Sequence, residues 1–309
     1  MSIKKLYSIY LPLLFLFISC TKHKKQSGNI NIEQDSLIRS NSSYFNAIEQ
    51  NDVTLSSPKP GDWLYEHPEK GQSFEQYKDE TPTKLSPEKS IIYLQPIGHF
   101  TNLQLSALQL TKEYVEIFFQ LKTILLTPIS DSIIPKTVRR NRFNHEQLLS
   151  TYIIDSVLKN RIPQNGFLEM AFTEKDLYPA NDWNYVFGQA SYADKVGVTS
   201  IYRLQNEVLT KENFSACLRR LMNIATHEIG HMFSVQHCTF AKCVMNGANS
   251  LTETDQSPNR LCSECQKKLF WNIRYGNKKR LKEIAYFMKR NDLQKDYDLI
   301  HLDEENISP

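Results

Sequence analysis

The sequence HEIGHMFSVQHCTFAKCVM (227–245) carries the residues that decide the fold and the chemistry of this chain. It lies at the end of an apolar stretch whose spacing predicts one long helix, roughly from Phe214 to Phe233. Positions i and i+4 of a helix share one face. His227 and His231 can therefore present their imidazoles to a single metal ion.

Two further residues complete the pattern of a zinc site that activates water. His237 lies six residues after His231, which is the spacing of an extended zincin signature. The helix must then end after His231, so that the chain can turn and bring His237 back to the metal. Glu228 lies at the edge of the histidine face, where it can reach a metal-bound water. Zinc lowers the pKa of that water to about 7, and a carboxylate can accept its proton.

Four cysteines after the third histidine have the spacing of a second metal site. Cys238 and Cys243 form a C-x4-C pair, and Cys262 and Cys265 form a C-x2-C pair. One tetrahedral zinc would use all four thiolates and would pin the segment after the long helix to the start of a C-terminal helix. Two disulfides are the alternative in an oxidising compartment. We favour zinc because such tight pairs close small loops, which suit a metal better than a strained bridge.

The run 227–245, together with CSEC (262–265), resembles the archaemetzincin family of metallopeptidases, in the metzincin clan. Three upstream stretches are similar to that family's strands: DLYP (176–179), WNYVFGQAS (183–191) and VGVTSIYRL (196–204). The resemblance covers about residues 91–269. It implies an α+β, zincin/metzincin-like fold with a mixed twisted sheet, an active-site helix and a C-terminal subdomain held by a four-cysteine zinc site.

The resemblance also implies a role for each matching residue. Two zinc ions are expected: a catalytic zinc on His227, His231 and His237, and a structural zinc on Cys238, Cys243, Cys262 and Cys265. Glu228 would be the general base, and Met245 the methionine of a Met-turn beneath the catalytic metal. The family pattern has glycine where this chain has Ser234, and a left-handed conformation there costs a non-glycine residue about 1–2 kcal/mol. No tyrosine closely follows Met245, so an oxyanion stabiliser is not identified.

The pattern predicts a zinc metallopeptidase that hydrolyses a peptide or protein substrate, either internally or in an aminopeptidase-like manner. An extended substrate would pair with an edge strand, which we place in VFGQAS (186–191) or VGVTSIYRL (196–204). The alternative is a non-catalytic, zinc-binding envelope lipoprotein that retains the fold for binding or assembly. Such a protein needs the histidines but has no use for Glu228, and the enzyme is therefore favoured. A net charge of +3 without a basic and aromatic cluster predicts no nucleic-acid partner.

Residues 1–19 have the features of a signal peptide: Lys4, Lys5 and then an apolar core too short to span a membrane comfortably. Ser19 directly before Cys20 resembles a bacterial lipobox, which implies cleavage there and lipidation of Cys20. We therefore expect a lipoprotein anchored to a membrane of the bacterial cell envelope. An ordinary signal peptide with a chance cysteine, or an uncleaved anchor, is the alternative.

The remaining chain divides by composition and periodicity. Residues 20–88 are polar and predict a lipid-anchored tether of mostly irregular structure. The peptidase domain is placed at 89–290 and a C-terminal tail at 291–309. Strands are predicted in 90–98, 123–129, 167–178, 184–191 and 196–204. Helices are predicted in 105–121, with Leu105, Leu108, Tyr114, Val115, Phe118 and Phe119 on one face, and in 144–160, with Asn144 as N-cap.

Replacing Cys20 with Ala tests the predicted anchor. Without the thiol that receives the lipid, we expect a longer, unprocessed chain that takes up no label from a radioactive fatty acid. Continued labelling of Cys20→Ala would contradict the prediction.

Overall fold

The computed structural model describes residues 35–307. The predicted signal peptide and Cys20 lie outside the described residues. No helix within 35–307 is long and apolar enough to cross a membrane.

A five-stranded sheet, in the order β2-β1-β5-β8-β7, forms the centre of the domain. Its strands are parallel except for β7, which runs antiparallel to β8. A smaller sheet has the order β3-β4-β6. The strands are β1 Ile91–Ile97, β2 Thr123–Leu125, β3 Arg139–Arg142, β4 His145–Leu149, β5 Gly166–Thr173, β6 Asp176–Tyr178, β7 Gly188–Ser191 and β8 Val196–Ser200. The predicted combination of helices with mixed sheets is confirmed.

Helices cover both faces of the large sheet. They are α1 Ser42–Glu49, α2 Trp63–Glu66, α3 Phe74–Asp79, α4 Asn102–Phe119, α5 Ser150–Tyr152 with a π-helical continuation Ile153–Leu158, α6 Phe214–Met232, α7 Leu251–Gln256, α8 Ser263–Ile273, α9 Asn277–Arg290 and α10 Gln294–Ile307. Residues 35–40 are also helical, and 3-10 turns span Asp131–Ile133 and Lys136–Val138.

Leu168 and Met170 of β5 belong to the core that contains α4 and α6, whereas Ala171 belongs to the core under α5. Every residue of β5 is accordingly buried.

The predicted apolar face of α4 is confirmed except at one residue. Thr101 and Gln104 form a capping box at its start, and the five later residues of the predicted face are buried. Leu105 is 37% exposed, because it lies in the first turn at the margin of the apolar stripe.

The helix predicted over 144–160 is wrong in its first third. Phe143 and Asn144 have positive φ angles of 55° and 61° and form the turn between β3 and β4. Left-handed residues at such a turn match the twist of the paired strands, so Asn144 is a turn residue and not an N-cap. The strand predicted over 167–178 is likewise two strands, β5 and β6, which belong to different sheets.

The predicted tether and tail are, where described, parts of the folded domain. Phe45, Ile48 and Tyr77 are buried in the core, so residues 35–88 (the N-terminal segment) pack against the domain although their composition is polar. Helix α10 replaces the predicted tail, and its Asp303 is fully buried. A few apolar anchors are enough to hold these polar stretches against the domain.

Arg260 links both ends of the described chain. Its buried guanidinium bonds to Asp303 of α10 through Nε at 2.6 Å and to Asp52 at 2.7 Å. It also donates to the carbonyl oxygen of Ile48 at the end of α1. A buried charge of this kind is tolerated only when it is paired on every side.

Arg260→Met should reduce the free energy of unfolding by about 3–5 kcal/mol, because it leaves two buried carboxylates without their cation. Urea unfolding measures the change. The control is Arg290→Met, which removes a more exposed ion pair with Glu113 and should cost less than about 1 kcal/mol. Equal losses in the two variants would show that Arg260 does not join the two ends.

Candidate active site and metal centres

The turn after α6 positions the third histidine. Ser234 has a φ of 68°, so the left-handed conformation expected at this position is adopted by a serine. Val235 N donates to Gly230 O at 3.1 Å and Ser234 N donates to His231 O at 2.8 Å, the two bonds of a Schellman motif. The helix therefore ends after His231, and the chain reverses to bring His237 back.

The three predicted histidines converge. One ring nitrogen of each lies within 4.8 Å of the others, and the Nε2 atoms of His227 and His231 are 3.0 Å apart. The Nδ1 atoms point away to oxygen acceptors. His227 Nδ1 is 2.9 Å from Val244 O and His231 Nδ1 is 2.7 Å from Val235 O. Because Nδ1 donates, the Nε2 lone pair stays free for a metal.

Burial keeps the first two histidines neutral. It lowers the pKa of His227 to about 3 and lowers the pKa of His231 well below its usual value, and neighbouring histidines add to both shifts. Neutral imidazole is the form that binds metal. The donor set therefore fits a zinc ion with three histidine ligands and an open position.

Glu228 lies beside this cluster, under the edge strand. Its carboxyl group is buried, and burial raises its pKa to about 8. A Cβ atom added at Gly188 of β7 would lie 2.7 Å from Glu228 Oε1. Glycine at this position therefore lets the strand pass close over the carboxyl group.

A cleft of about 730 Å³ opens over the histidines. Its lining includes residues 188–190 of β7, residues 179–180, 183–187 and 246–249, and the side chains of Trp63 and Tyr192. Strand β7 is the edge of the large sheet, whereas β8 lies between β5 and β7. VFGQAS therefore contains the edge strand, and VGVTSIYRL was the wrong alternative.

Two side chains that the sequence analysis does not single out reach the histidines. The Tyr192 hydroxyl lies 2.7 Å from His231 Nδ1, and the two rings are stacked. The Glu69 carboxylate lies 2.8 Å from His237 Nδ1. Burial opposes the ionisation of Glu69, but the hydrogen bonds with His237 and Trp63 and the charges of His237 and His67 together outweigh it, and the pKa of Glu69 is lowered. The only feature of the sequence that could have indicated Tyr192 is its position directly after a predicted strand. Glu69 lies in the N-terminal segment, and no feature of the sequence there indicated a role at the metal site.

Met245 is fully buried against the helix that carries the histidines. A Cβ added at Gly230 would lie 2.5 Å from Met245 Sδ, so the absence of a side chain at Gly230 makes room for the thioether. The backbone carbonyl of Met245 accepts from Cys238 N at 2.8 Å. The role of Met245 as a Met-turn residue remains a prediction.

The four predicted cysteines also converge. All four are buried, with their Sγ atoms within 4.8 Å of one another, and Cys238 and Cys262 are 3.6 Å apart. None of the five cysteines in residues 35–307 forms a disulfide. Asn246 holds the loop of the first pair, since it accepts from Cys243 N and donates to Cys238 O, both at 2.7 Å.

The chemistry of the four clustered thiols favours a cation bound between them. Hydrogen bonds from Cys243 and the other two thiols lower the pKa of Cys238 strongly. Burial raises the pKa of Cys243, and hydrogen bonding with Cys238 and the other thiols raises that of Cys265. Thiolates at Cys243 and Cys265 are therefore disfavoured unless a positive charge lies beside them. A zinc ion supplies this charge in tetrahedral four-cysteine sites.

Comparison with known proteins identifies the family. The model of peptidase family M54 matches residues 136–270. Archaemetzincin-2 of Homo sapiens is 32% identical over 268 residues, which cover 75% of this chain and 73% of that protein. Archaemetzincin of Methanocaldococcus jannaschii is 32% identical over 179 residues, or 58% of this chain and 92% of that protein.

A solved structure of archaemetzincin from Methanopyrus kandleri is 23% identical, covers 62% of this chain and 99% of that chain, and has a TM-score of 0.49. The length and identity of the match to archaemetzincin-2 settle the assignment. The chain belongs to the archaemetzincin family of zinc metallopeptidases.

Proposed function

We propose that this protein hydrolyses peptide bonds at a zinc ion held by His227, His231 and His237, with Glu228 as the general base. The observation that carries the proposal is the convergence of three imidazoles on the floor of a cleft, directly beside a buried carboxyl group. When bound there, zinc supplies a Lewis acid and lowers the pKa of a bound water. Hydrogen bonds at Nδ1 hold the three rings with Nε2 toward the metal.

Glu228 handles the proton in this proposal. It takes a proton from the attacking water and delivers it to the leaving amine. Glu228 lies on α6, and the backbone of Gly188 passes close to its carboxyl group. This close approach limits the positions that the carboxyl group can adopt. A group fixed in this way is already oriented for transfer, which lowers the entropic cost of reaching the transition state.

The substrate would be an extended peptide along β7. An edge strand offers unpaired backbone groups to which a peptide can add as a further strand. Trp63 and Tyr192 lie at the walls of the same cleft and offer aromatic surface to substrate side chains. These features support a peptide or protein substrate.

We also propose a second, structural zinc on Cys238, Cys243, Cys262 and Cys265. A closed four-thiolate site has no open position for substrate, and it contributes directly to folding. Cys238 follows His237 immediately, so this site would also fix the third ligand of the first. A non-catalytic zinc protein, the alternative function, would not need a carboxyl group buried beside the histidines.

Glu228→Gln tests the catalytic proposal. The amide has the same shape but cannot accept the proton, so we expect peptide hydrolysis to fall at least about 100-fold while zinc content stays unchanged. A peptide library with cleavage products read by mass spectrometry gives the rates. The control is Glu212→Gln, an exposed position just before α6, which should retain full activity. Wild-type activity in Glu228→Gln would contradict the assignment of the base.

Elemental analysis separates the two metals. Wild type should contain two zinc ions, and His231→Ala should contain one, with activity lost and the fold retained. Cys262→Ser should lose the other zinc together with thermal stability, because a structural zinc contributes folding free energy. A mature protein whose mass is lower by four hydrogens than that of the fully reduced chain would instead mean two disulfides, and the structural zinc would be wrong.

A further inference from the structure

His237 is oriented in a different way from the other two histidines. His227 and His231 each have a backbone carbonyl as an Nδ1 partner, that of Val244 or Val235, and the Tyr192 hydroxyl also lies 2.7 Å from His231 Nδ1. His237 has no such carbonyl partner among the described residues. The partner of His237 is a side chain 168 residues earlier, in the N-terminal segment: both carboxylate oxygens of Glu69 lie within 2.9 Å of its Nδ1.

Trp63 holds the Glu69 carboxylate in place. Its indole Nε1 donates to Glu69 Oε1 at 2.9 Å, and its ring meets the ring of His237 edge to face at 5.2 Å. Its backbone N donates to Glu253 Oε1 at 2.8 Å. A Cβ at Gly247 would lie 2.3 Å from this indole, so the ring fits tightly against the loop after Met245.

The chain on the other side of Glu69 is anchored to the same turn. The Gln72 side chain donates to Ser234 O at 3.2 Å and accepts from Gln236 N at 3.2 Å. The Gln72 carbonyl accepts from the buried ammonium of Lys268. Glu69 therefore lies between two fixed points and is not the free end of a mobile surface chain.

We propose that Glu69 is a positioning residue for the catalytic zinc, which it serves through His237. Its carboxylate accepts the Nδ1 proton, selects the tautomer with Nε2 free, and fixes the plane of the ring. Outer carboxylates of this kind orient metal-binding histidines and increase their basicity. Residue 69 lies outside the region matched by the family model, residues 136–270, and the N-terminal segment would supply this component of the metal site. This inference rests on the proposed function.

A surface ion pair is the competing explanation, since the Glu69 side chain is 29% exposed and the His237 side chain 18%. Such pairs contribute little to stability, and a pair with a protonated His237 would not favour metal binding, which needs the neutral imidazole. The two explanations therefore differ in zinc affinity, in the spectrum of a cobalt-substituted site and in kcat.

The experiment compares full-length wild type with Glu69→Ala, Glu69→Gln and the control Glu66→Gln. Glu66 is an exposed carboxylate three residues earlier that accepts from Gly61 N and does not bond to His237. Competition with a zinc chelator measures affinity at the histidine site. We expect Glu69→Ala to lose 10- to 100-fold, Glu69→Gln to lose less because its amide oxygen still accepts, and the control to match wild type.

Two further readouts exclude a merely structural effect. The visible spectrum of the cobalt(II)-substituted enzyme should change in Glu69→Ala, and kcat should fall more than KM rises, since the ring and not the substrate cleft is disturbed. Trp63→Phe keeps the aromatic ring but removes the indole donor, and should cause a smaller loss of affinity in the same direction. It serves as the second variant if Glu69→Ala folds poorly.

The outcomes separate this inference from the proposed function. Wild type that binds no more metal than His231→Ala would overturn both. Wild type with a zinc-loaded histidine site, but with unchanged affinity, cobalt spectrum and kcat in the Glu69 and Trp63 variants, would overturn the positioning role alone.

Discussion

The reversal of the chain at Ser234 is the constraint on which the two candidate metal sites depend. A helix can present only His227 and His231 on one face, and the third ring must come from chain that turns back. The left-handed conformation of Ser234 costs about 1–2 kcal/mol. The N-terminal segment offsets part of this cost, because Thr83 N donates to Ser234 Oγ and Gln72 donates to Ser234 O.

The same turn couples the histidines to the thiols. Cys238 follows His237, and its backbone N donates to the carbonyl of Met245, which packs under Gly230 of the helix. The chain from the end of α6 to Met245 is therefore short, and it is held at both Cys238 and Met245. Because one peptide bond joins His237 to Cys238, the proposed metal at the thiols would also restrain the third histidine.

The histidine and cysteine clusters could be predicted from sequence because their spacing along the chain is short and regular. The long helix could be predicted because its apolar residues recur with the helical period. Residues 145–149 were read as helix because a short apolar run fits either period, and the turn at Phe143 and Asn144 decided the outcome. The packing of residues 35–88 against the domain could not be predicted because the composition of this stretch is polar. Only a few apolar side chains, such as Phe45 and Tyr77, anchor it. Glu69 could not be found, since only the tertiary fold brings it to His237.

The buried carboxyl group of Glu228 and the three neighbouring imidazoles favour the presence of a cation in the cleft. Burial raises the pKa of Glu228 to about 8 and so disfavours its charged form. A divalent charge on the neighbouring imidazoles would favour the carboxylate and oppose this shift. In the proposed mechanism, a zinc ion on the three imidazoles would therefore favour the ionised form of Glu228, which is the form that accepts a proton.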